Sequence, residues 1–414
     1  MNDKPVAVIT GASRGIGRAV AIALAAEGYD IAAIARSVDS EGMEILCREV
    51  ENKGAEFFPI GLDISCTDCH KEVVANILNR YGRIDLLVNN AGLALGMSPA
   101  QEADLEDWET MVDTNDEWIQ TRTGIKERRI LKEPGKGTSF LAVKSAENLI
   151  EKSGLDPREI ELIILATATP DMQAASTGAY VASEIGAVNA FAFDLESACS
   201  SFLYGMSVAA SYIESGRYKK ILLIGADMNS SMIDYTDRTT CIIFGDGAGA
   251  VLFEPTTDGN GLQDEYMRSD GAGREFLNVA AGGSVCPTTE ETVQKKMHFV
   301  KQDGQTVFKN AVFNMADVCE KILERNELSN DDVAFLAAHQ ANKRIVEATA
   351  RRMKLDPEKV MLNIQNYGNT TSATLPLLLA DYEKQLKKGD VVIFAAFGGG
   401  FSWGSIYFKW CYNS

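Results

Sequence analysis

The chain has 414 residues, 46% of them hydrophobic and 24% charged, with 40 Lys+Arg against 58 Asp+Glu for a net charge of −18. That length predicts two or three domains, and that acidity argues against bulk nucleic-acid or anionic-membrane binding, so no nucleic acid and no membrane is expected as partner. The start "MNDKPVAVIT" lacks the charge and apolar run of a signal peptide, and no apolar run reaches spanning length; with eight scattered cysteines, this predicts reduced thiols in a cytoplasm.

The first ninety residues alternate strand and helix. Strands are predicted at 5–10, 31–36, 57–63 and 84–89, and helices at 15–28, 40–54 and 68–81. Such alternation predicts a parallel sheet built from βαβ units. A polar helix is expected over 99–113. The charged stretch "NDEWIQTRTGIKERRILKEPGKG" lacks clean periodicity and reads as loop and short irregular elements. From Thr138 onward the chain repeats itself. "ENLIEKSGLDPREIELIILATATP" is echoed by "CEKILERNELSNDDVAFLAAHQAN", and "YKKILLIGADMNS" with "FGDGAGAVLFE" by "KKGDVVIFAAFGGGFSWGSIYFKW". Two related α/β halves are expected, with a site where they meet.

Gly11, Ser13, Arg14, Gly15 and Gly17 lie in "TGASRGIG", between a strand and a helix. The glycines permit a tight turn and the helix start supplies free N–H groups, which suits a pyrophosphate. Arg36 ends the second strand where an acidic side chain would hold a free ribose hydroxyl; with Arg14 it suits a 2′-phosphate. Asp63 and Asn90, the latter in "NNAG", end the next strands at the same edge. These motifs resemble the N-terminal half of a short-chain dehydrogenase/reductase of the 3-oxoacyl-carrier-protein reductase kind, over about residues 1–115. The resemblance implies a Rossmann fold and NADP, and Asn115 matches that family's active-site Asn. The family also needs Tyr-x-x-x-Lys, and none of the 12 tyrosines here has Lys four residues on. A nucleotide-type half-fold without reductase activity is therefore expected. "CTDCH", from Cys66 to His70, fits a haem-attachment spelling but reads as a chance match at a helix start.

Only three histidines are present, His70, His298 and His339. His339 follows a buried strand in "FLAAHQAN". Cys199 lies in "ESACSSF", where a strand ends and an apolar helix begins, a position that lowers a thiol pKa. Asn369 lies in the turn "NYGNTTSAT", and "FGGGF" offers backbone N–H groups to an oxyanion. Singly these are packing and turn residues; together they fit acyl transfer.

The motifs "DTNDEWIQTRTGIKERR", "ESACSSF", "FGDGAGA", "HQANKRI", "NYGNTTSAT" and "AFGGGFSWGS" resemble beta-ketoacyl-acyl carrier protein synthase III, a thiolase-like condensing enzyme, over about residues 111–410. The resemblance implies an α/β, thiolase-like αβαβα layering with two related halves, here preceded by a partial Rossmann-like βα segment. It implies three parts: 1–115, reductase-like; 116–255, the half carrying the catalytic Cys; and 256–414, the half carrying His and Asn. Cys199 would take an acetyl group from acetyl-CoA, and His339 and Asn369 would hold the thioester oxygen of malonyl-carrier protein. Cys199 and Gly399 would supply the oxyanion hole, and Trp118, Arg122, Arg238, Phe308 and Asn342 the CoA contacts. No cofactor is required for that condensation, and a homodimer is implied. In the family, the loop holding Ala174 and Ala175 reaches the partner's acyl pocket.

Lys343, Arg344, Arg351, Arg352 and Lys354 make one basic run in an acidic chain, preferred as a docking face for acyl carrier protein over a merely solvated helix face. The synthase family's own first strand is absent, which predicts an open edge in the first half's sheet. A join at Met111–Asn115 is expected. The alternatives are an NADPH-dependent reductase, or an inactive chimera that binds CoA or NADP without turnover.

Overall fold

The computed structural model describes residues 4–63, 69–88 and 116–413; at 16 and 116–118 only the backbone is described. The chain divides into two compact units, Met1–Asp116 and Glu117–Ser414. The predicted helix over 99–113, Asn90, Asn115 and most of the "CTDCH" match lie outside the described residues.

The first unit holds strands β1 (Val6–Thr10), β2 (Asp30–Ala35), β3 (Phe57–Gly61) and β4 (Leu86–Val88), with helices α1 (Gly15–Ala26), α2 (Glu41–Glu51) and α3 (His70–Tyr81). The strands form one parallel sheet in the order β3-β2-β1-β4. Alternation along the strands sorts the two faces. Ala7, Ile9, Ile31 and Ala33 pack under α1 and α2 with Met43 and Leu46. Val6, Val8, Ala32 and Ile34 pack under α3 with Val73 and Ile77. The predicted parallel sheet of βαβ units therefore forms, with both edges of β1 occupied.

In the second unit, α4 (Asp116–Thr123) is followed by α5 (Thr138–Ser153), β5 (Leu162–Ala166), α6 (Thr177–Glu184), β6 (Phe191–Leu195), α7 (Ser201–Glu214), β7 (Ile221–Asp227) and β8 (Gly247–Phe253). Next come β9 (Gly261–Ser269), β10 (Leu277–Val279), α8 (Glu290–Gln294), β11 (Val300–Gln302), α9 (Gly304–Arg325), β12 (Val333–Ala338), α10 (Lys343–Arg352), α11 (Ile364–Tyr367), α12 (Thr374–Tyr382), β13 (Val391–Gly398) and β14 (Ser402–Lys409). Helix α4 departs from the loop expected there. It closes a tertiary contact through the buried Ile119 and Thr123, whose hydroxyl donates to the Ile119 carbonyl at 2.7 Å. Tertiary burial, not periodicity, makes it helical.

Two four-stranded sheets have the orders β6-β5-β7-β8 and β12-β13-β14-β9. Each sheet has one apolar set per face. Leu162, Ile164, Leu223, Phe394 and Ile406 enclose a central layer with Phe202 and Leu203 of α7 and Leu375 and Leu378 of α12. The alternate residues of the first sheet, Ile163, Leu165 and Leu222, face α5 and α6. Ile393 and Ala395 of the second face α9 and α10. This is the expected αβαβα layering.

The repeated segments occupy matching places: β5 and β12 lie parallel to β7 and β13, which pair antiparallel with β8 and β14. The two halves differ at one edge. β14 pairs with both β13 and β9. Among the described residues β8 pairs with β7 alone, and all seven of its residues are partly exposed. This matches the edge expected from the absent first strand.

A buried carboxylate ties the halves together. Asp227 ends β7 at 0% exposure. It accepts from Thr167 Oγ1 (3.0 Å), Ala168 N–H (2.7 Å), Thr169 N–H (3.1 Å) and Thr169 Oγ1 (3.0 Å) with one oxygen, and from Ser372 N–H (2.8 Å) with the other. Asp227→Asn turns one acceptor oxygen into a donor facing donors, and is expected to cost about 3 kcal/mol. Urea unfolding of the two proteins measures it.

Six described cysteines are free thiols, but Cys69 is disulfide-bonded, so the expectation of reduced thiols throughout fails there. Among the described residues no helix is long and apolar enough to cross a membrane.

Candidate active site

Cys199 stands in a 3-10 turn, Ala198–Ser200, that runs into α7. Ala198 before it is held at φ +47, a left-handed conformation costly for a residue with a Cβ. That conformation is pinned from both halves. The Ala198 carbonyl accepts from Ser201 Oγ at 2.7 Å and from Ser372 Oγ at 3.4 Å. The turn places the sulfur at 7% exposure on the floor of a cavity of about 220 Å³.

His339 follows β12, and its N–H donates to Ala395 O at 2.8 Å. The side chain is 1% exposed, and neither ring nitrogen has a hydrogen-bond partner in the protein. Two unsatisfied polar atoms in an apolar setting are costly unless something that enters the cavity pairs with them. Burial lowers the imidazole pKa from 6.5 to about 3, so the ring is neutral and has one N–H to give.

Asn369 is fixed through its backbone and its carbonyl oxygen. Its N–H donates to Ile243 O at 2.9 Å, its C=O accepts from Gly245 N–H at 3.0 Å, and its Oδ1 accepts from Thr371 N–H at 2.9 Å. Gly368 before it needs its missing side chain: φ is +66, and a Cβ would stand 2.8 Å from both Arg128 Cγ and Ile243 O. The Asn369 side chain hydrogen-bonds the Cys199 sulfur and favours the thiolate.

The thiol differs from expectation. Burial pushes the Cys199 pKa up to about 12, with the Asp227 charge adding to the rise, against the lowering by its own backbone N–H and Asn369. The helix start does not win because the sulfur lies in an apolar pocket. At rest Cys199 is therefore a protonated thiol.

Phe308, Ile345, Phe244, Met315 and Phe397 give the cavity an apolar wall. Gly398 also lines it, whereas Gly399 is not among the lining residues and stands against Leu277 and Ala198. A Cβ on Gly398 would stand 2.7 Å from the Cys199 N, and one on Gly399 3.5 Å from the Ala198 Cβ. The Gly398→Ala methyl would cover the Cys199 N–H, and, with that N–H as an expected oxyanion donor, about a 100-fold loss of kcat is expected. Steady-state kinetics with a native circular-dichroism spectrum as control measure it.

The other predicted contacts lie around this cavity. Phe308 and Asn342 line it. Asn342 also caps α10, accepting from Arg344 N–H at 2.9 Å. Arg238 is exposed beside the lining residue Thr239. Arg122 is exposed at the end of α4, where a Cβ on Gly124 would stand 2.6 Å from Lys343 Cβ. The Trp118 side chain lies outside the described residues.

The basic run is uneven. The Arg344 guanidinium lies 5.2 Å from the Phe308 ring centre. Lys343 is 3.7 Å from Glu347, and Arg352 is 2.6 Å from Glu320. Arg351 and Lys354 are exposed. Sequence reasoning missed Arg128, a half-buried cation donating to Cys241 O at 2.5 Å beneath Gly368. The charged "KERR" gave no sign that one of its cations packs under a glycine turn.

In the N-terminal unit, Gly11 (φ +66) and Gly15 (φ +58) form the turn into α1, where Gly17 is buried and Ser13 half-buried. Arg14 and Arg36 are exposed. Asp63 lines a separate cavity of about 500 Å³ with Phe58, Glu72 and Asn76, away from the glycine turn.

Comparison with known proteins places this geometry. Residues 193–271 match 3-oxoacyl-[acyl-carrier-protein] synthase III and residues 323–410 its C-terminal region. The chain is 54% identical over 308 residues to beta-ketoacyl-[acyl-carrier-protein] synthase III 2 of Bacteroides thetaiotaomicron, covering 74% of this chain and 92% of the relative. The chain belongs to the beta-ketoacyl-[acyl-carrier-protein] synthase III family. It is thus an acyl-transferring condensing enzyme by family. The synthase III of Phocaeicola vulgatus is 52% identical over 80% of this chain and 98% of its own length. Among solved structures, 3-oxoacyl-[acyl-carrier-protein] synthase III of Aquifex aeolicus superposes with a TM-score of 0.67 at 38% identity, over 74% of this chain and 94% of that one. Residues 5–117 match the short chain dehydrogenase family, in agreement with the segment read from "TGASRGIG".

Proposed function

We propose that this synthase III condenses acetyl-CoA with malonyl-acyl carrier protein, releasing carbon dioxide and forming acetoacetyl-acyl carrier protein, the opening step of fatty-acid synthesis. The supporting observation is the convergence of Cys199, unpartnered His339 and Asn369 on one narrow apolar cavity. Cys199 Sγ attacks the acetyl thioester carbon, and its proton leaves on the departing CoA sulfur. The N–H groups of Cys199 and Gly399 hold the oxyanion. Malonyl-carrier protein then enters. A neutral His339 N–H and the Asn369 amide hold its thioester oxygen while the carboxylate leaves as carbon dioxide. The resulting enolate carbon attacks the acetyl carbonyl, and the Cys199 sulfur departs as thiolate and is reprotonated.

In this reading Trp118, Arg122, Arg238, Phe308 and Asn342 hold CoA. Lys343, Arg344, Arg351, Arg352 and Lys354 receive the carrier protein, no cofactor is needed, and the enzyme works as a cytoplasmic homodimer. Intact mass spectrometry after incubation with acetyl-CoA should show one acetyl group gained on Cys199; a folded protein without that adduct would defeat the reading.

A second reading concerns the first unit. Its parallel order β3-β2-β1-β4 and glycine turn favour NADP binding through Gly11, Ser13, Arg14, Gly15, Gly17, Arg36, Asp63 and Asn90 without reduction. Fluorescence titration should show saturable NADPH binding, weakened at least about tenfold in Arg36→Glu. NADPH oxidation with an acetoacetyl thioester should be absent, because no Tyr-x-x-x-Lys exists.

A further inference from the structure

Helices α9 and α10 carry two stacked cation–aromatic pairs. The Arg344 guanidinium lies 5.2 Å from the centre of the Phe308 ring, and the Arg352 guanidinium 5.4 Å from that of Phe313. The two rings differ in surroundings. Phe308 is half-buried and lines the active-site cavity. Phe313 follows five residues later, about 7.5 Å along the helix axis, and is 60% exposed.

Charge gathers around that exposed ring in a chain of net charge −18. Lys309 precedes Phe313 by four residues on α9, so the two share a face. On α10, Arg344, Arg351 and Arg352 fall at i, i+7 and i+8, again one face, and all are exposed. Among the described residues Arg352 alone of these has an acidic partner, Glu320 at 2.6 Å. The same guanidinium reaches the Phe313 carbonyl at 3.5 Å, so one side chain touches both the ring and the backbone of residue 313. A rigid aromatic side chain with two rotatable bonds, already held by stacking, loses little entropy when a partner covers it.

We infer that Phe313 is the apolar anchor of the carrier-protein surface: it fits against an apolar side chain of an acidic helix, while Lys309, Arg344, Arg351 and Arg352 pair with the carboxylates around it. The inference rests on the docking role proposed above for α10. It is favoured by charge complementarity and by continuity with the cavity that Phe308 and Asn342 line, which a carrier-borne thioester must enter. An aromatic centre rimmed by cations would set orientation through charge and residence through the ring.

The test compares Phe313→Ser, Phe313→Leu and Arg344→Ala in the full chain, with malonyl-carrier protein varied at saturating acetyl-CoA. Phe313→Ser should raise KM for the carrier substrate about tenfold with kcat held, and Phe313→Leu should recover most of that. KM for acetyl-CoA should not move. An unchanged carrier KM in Phe313→Ser, beside a raised one in Arg344→Ala, overturns the anchor and leaves the docking surface standing. Unchanged values in both overturn the docking surface as well. A change in sedimentation with no change in carrier KM assigns the ring to self-association and overturns the proposal.

Discussion

Cys199→Ala is expected to abolish acetyl transfer from acetyl-CoA and to lower condensation by about 10³-fold or more, as loss of a covalent nucleophile does. The substitution is a small one in a site held by its surroundings. Ala198, Ser200 and Ser201 keep the turn through the carbonyls of Ser197, Ala198 and Ser402, none of which involves the sulfur. The fold should therefore persist, which a native circular-dichroism spectrum checks. Decarboxylation of malonyl-carrier protein should survive in the variant, since His339 and Asn369 remain in place. Carbon dioxide released without acetoacetyl product would show that the two half-reactions are carried by different side chains. An acetyl adduct that persists in Cys199→Ala would place the nucleophile elsewhere.

His339→Gln is expected to show the opposite division. Acetylation of Cys199 should proceed, because the oxyanion donors proposed above are backbone groups. Condensation should fall by about 10²- to 10³-fold with the loss of a positioned donor. The same variant tests the electrostatics. His339 has a pKa of about 3 when folded, against the ordinary 6.5 that an unfolded chain would show. The unfolded state alone binds the proton between those values. The contribution of this group is thus fully present above pH 6.5 and is lost as pH falls toward 3. At pH 5 the loss is about 2 kcal/mol, from 1.36 kcal/mol per pH unit. Urea unfolding at pH 7.5 and pH 5 should show wild type losing about that much more stability than His339→Gln. Equal losses would mean that the imidazole is not held neutral.

Much of the fold was legible in the chain. Alternating apolar runs at 6–10, 30–35 and 57–61 and the helices between them marked a parallel sheet, because period and turn chemistry are local properties. The internal repeat from residue 147 onward marked two halves, since each copy must bury the same faces. Helix α4 was not legible: six of its eight residues are polar, and the burial of Ile119 and Thr123 is what stabilises a helix there.

The site divides in the same way. The residue types of the site, a cysteine at a helix start, a histidine after a buried strand and an asparagine in a glycine turn, stood in the sequence as recognisable motifs. Their protonation did not. A helix N-terminus alone predicts a lowered thiol pKa, whereas the enclosing walls from Phe244, Phe308 and Phe397 raise it and hold His339 neutral. Desolvation depends on what the rest of the chain packs around a group, and residues over a hundred positions apart supply that packing. The sequence by itself determined the family, the place of a cysteine at a helix start and the βα order of the first unit. Only the tertiary structure decided that Asp227 joins the two halves, that Arg128 packs beneath Gly368, and that Phe313 stands exposed among cations, because each is a matter of tertiary packing, which no local pattern encodes.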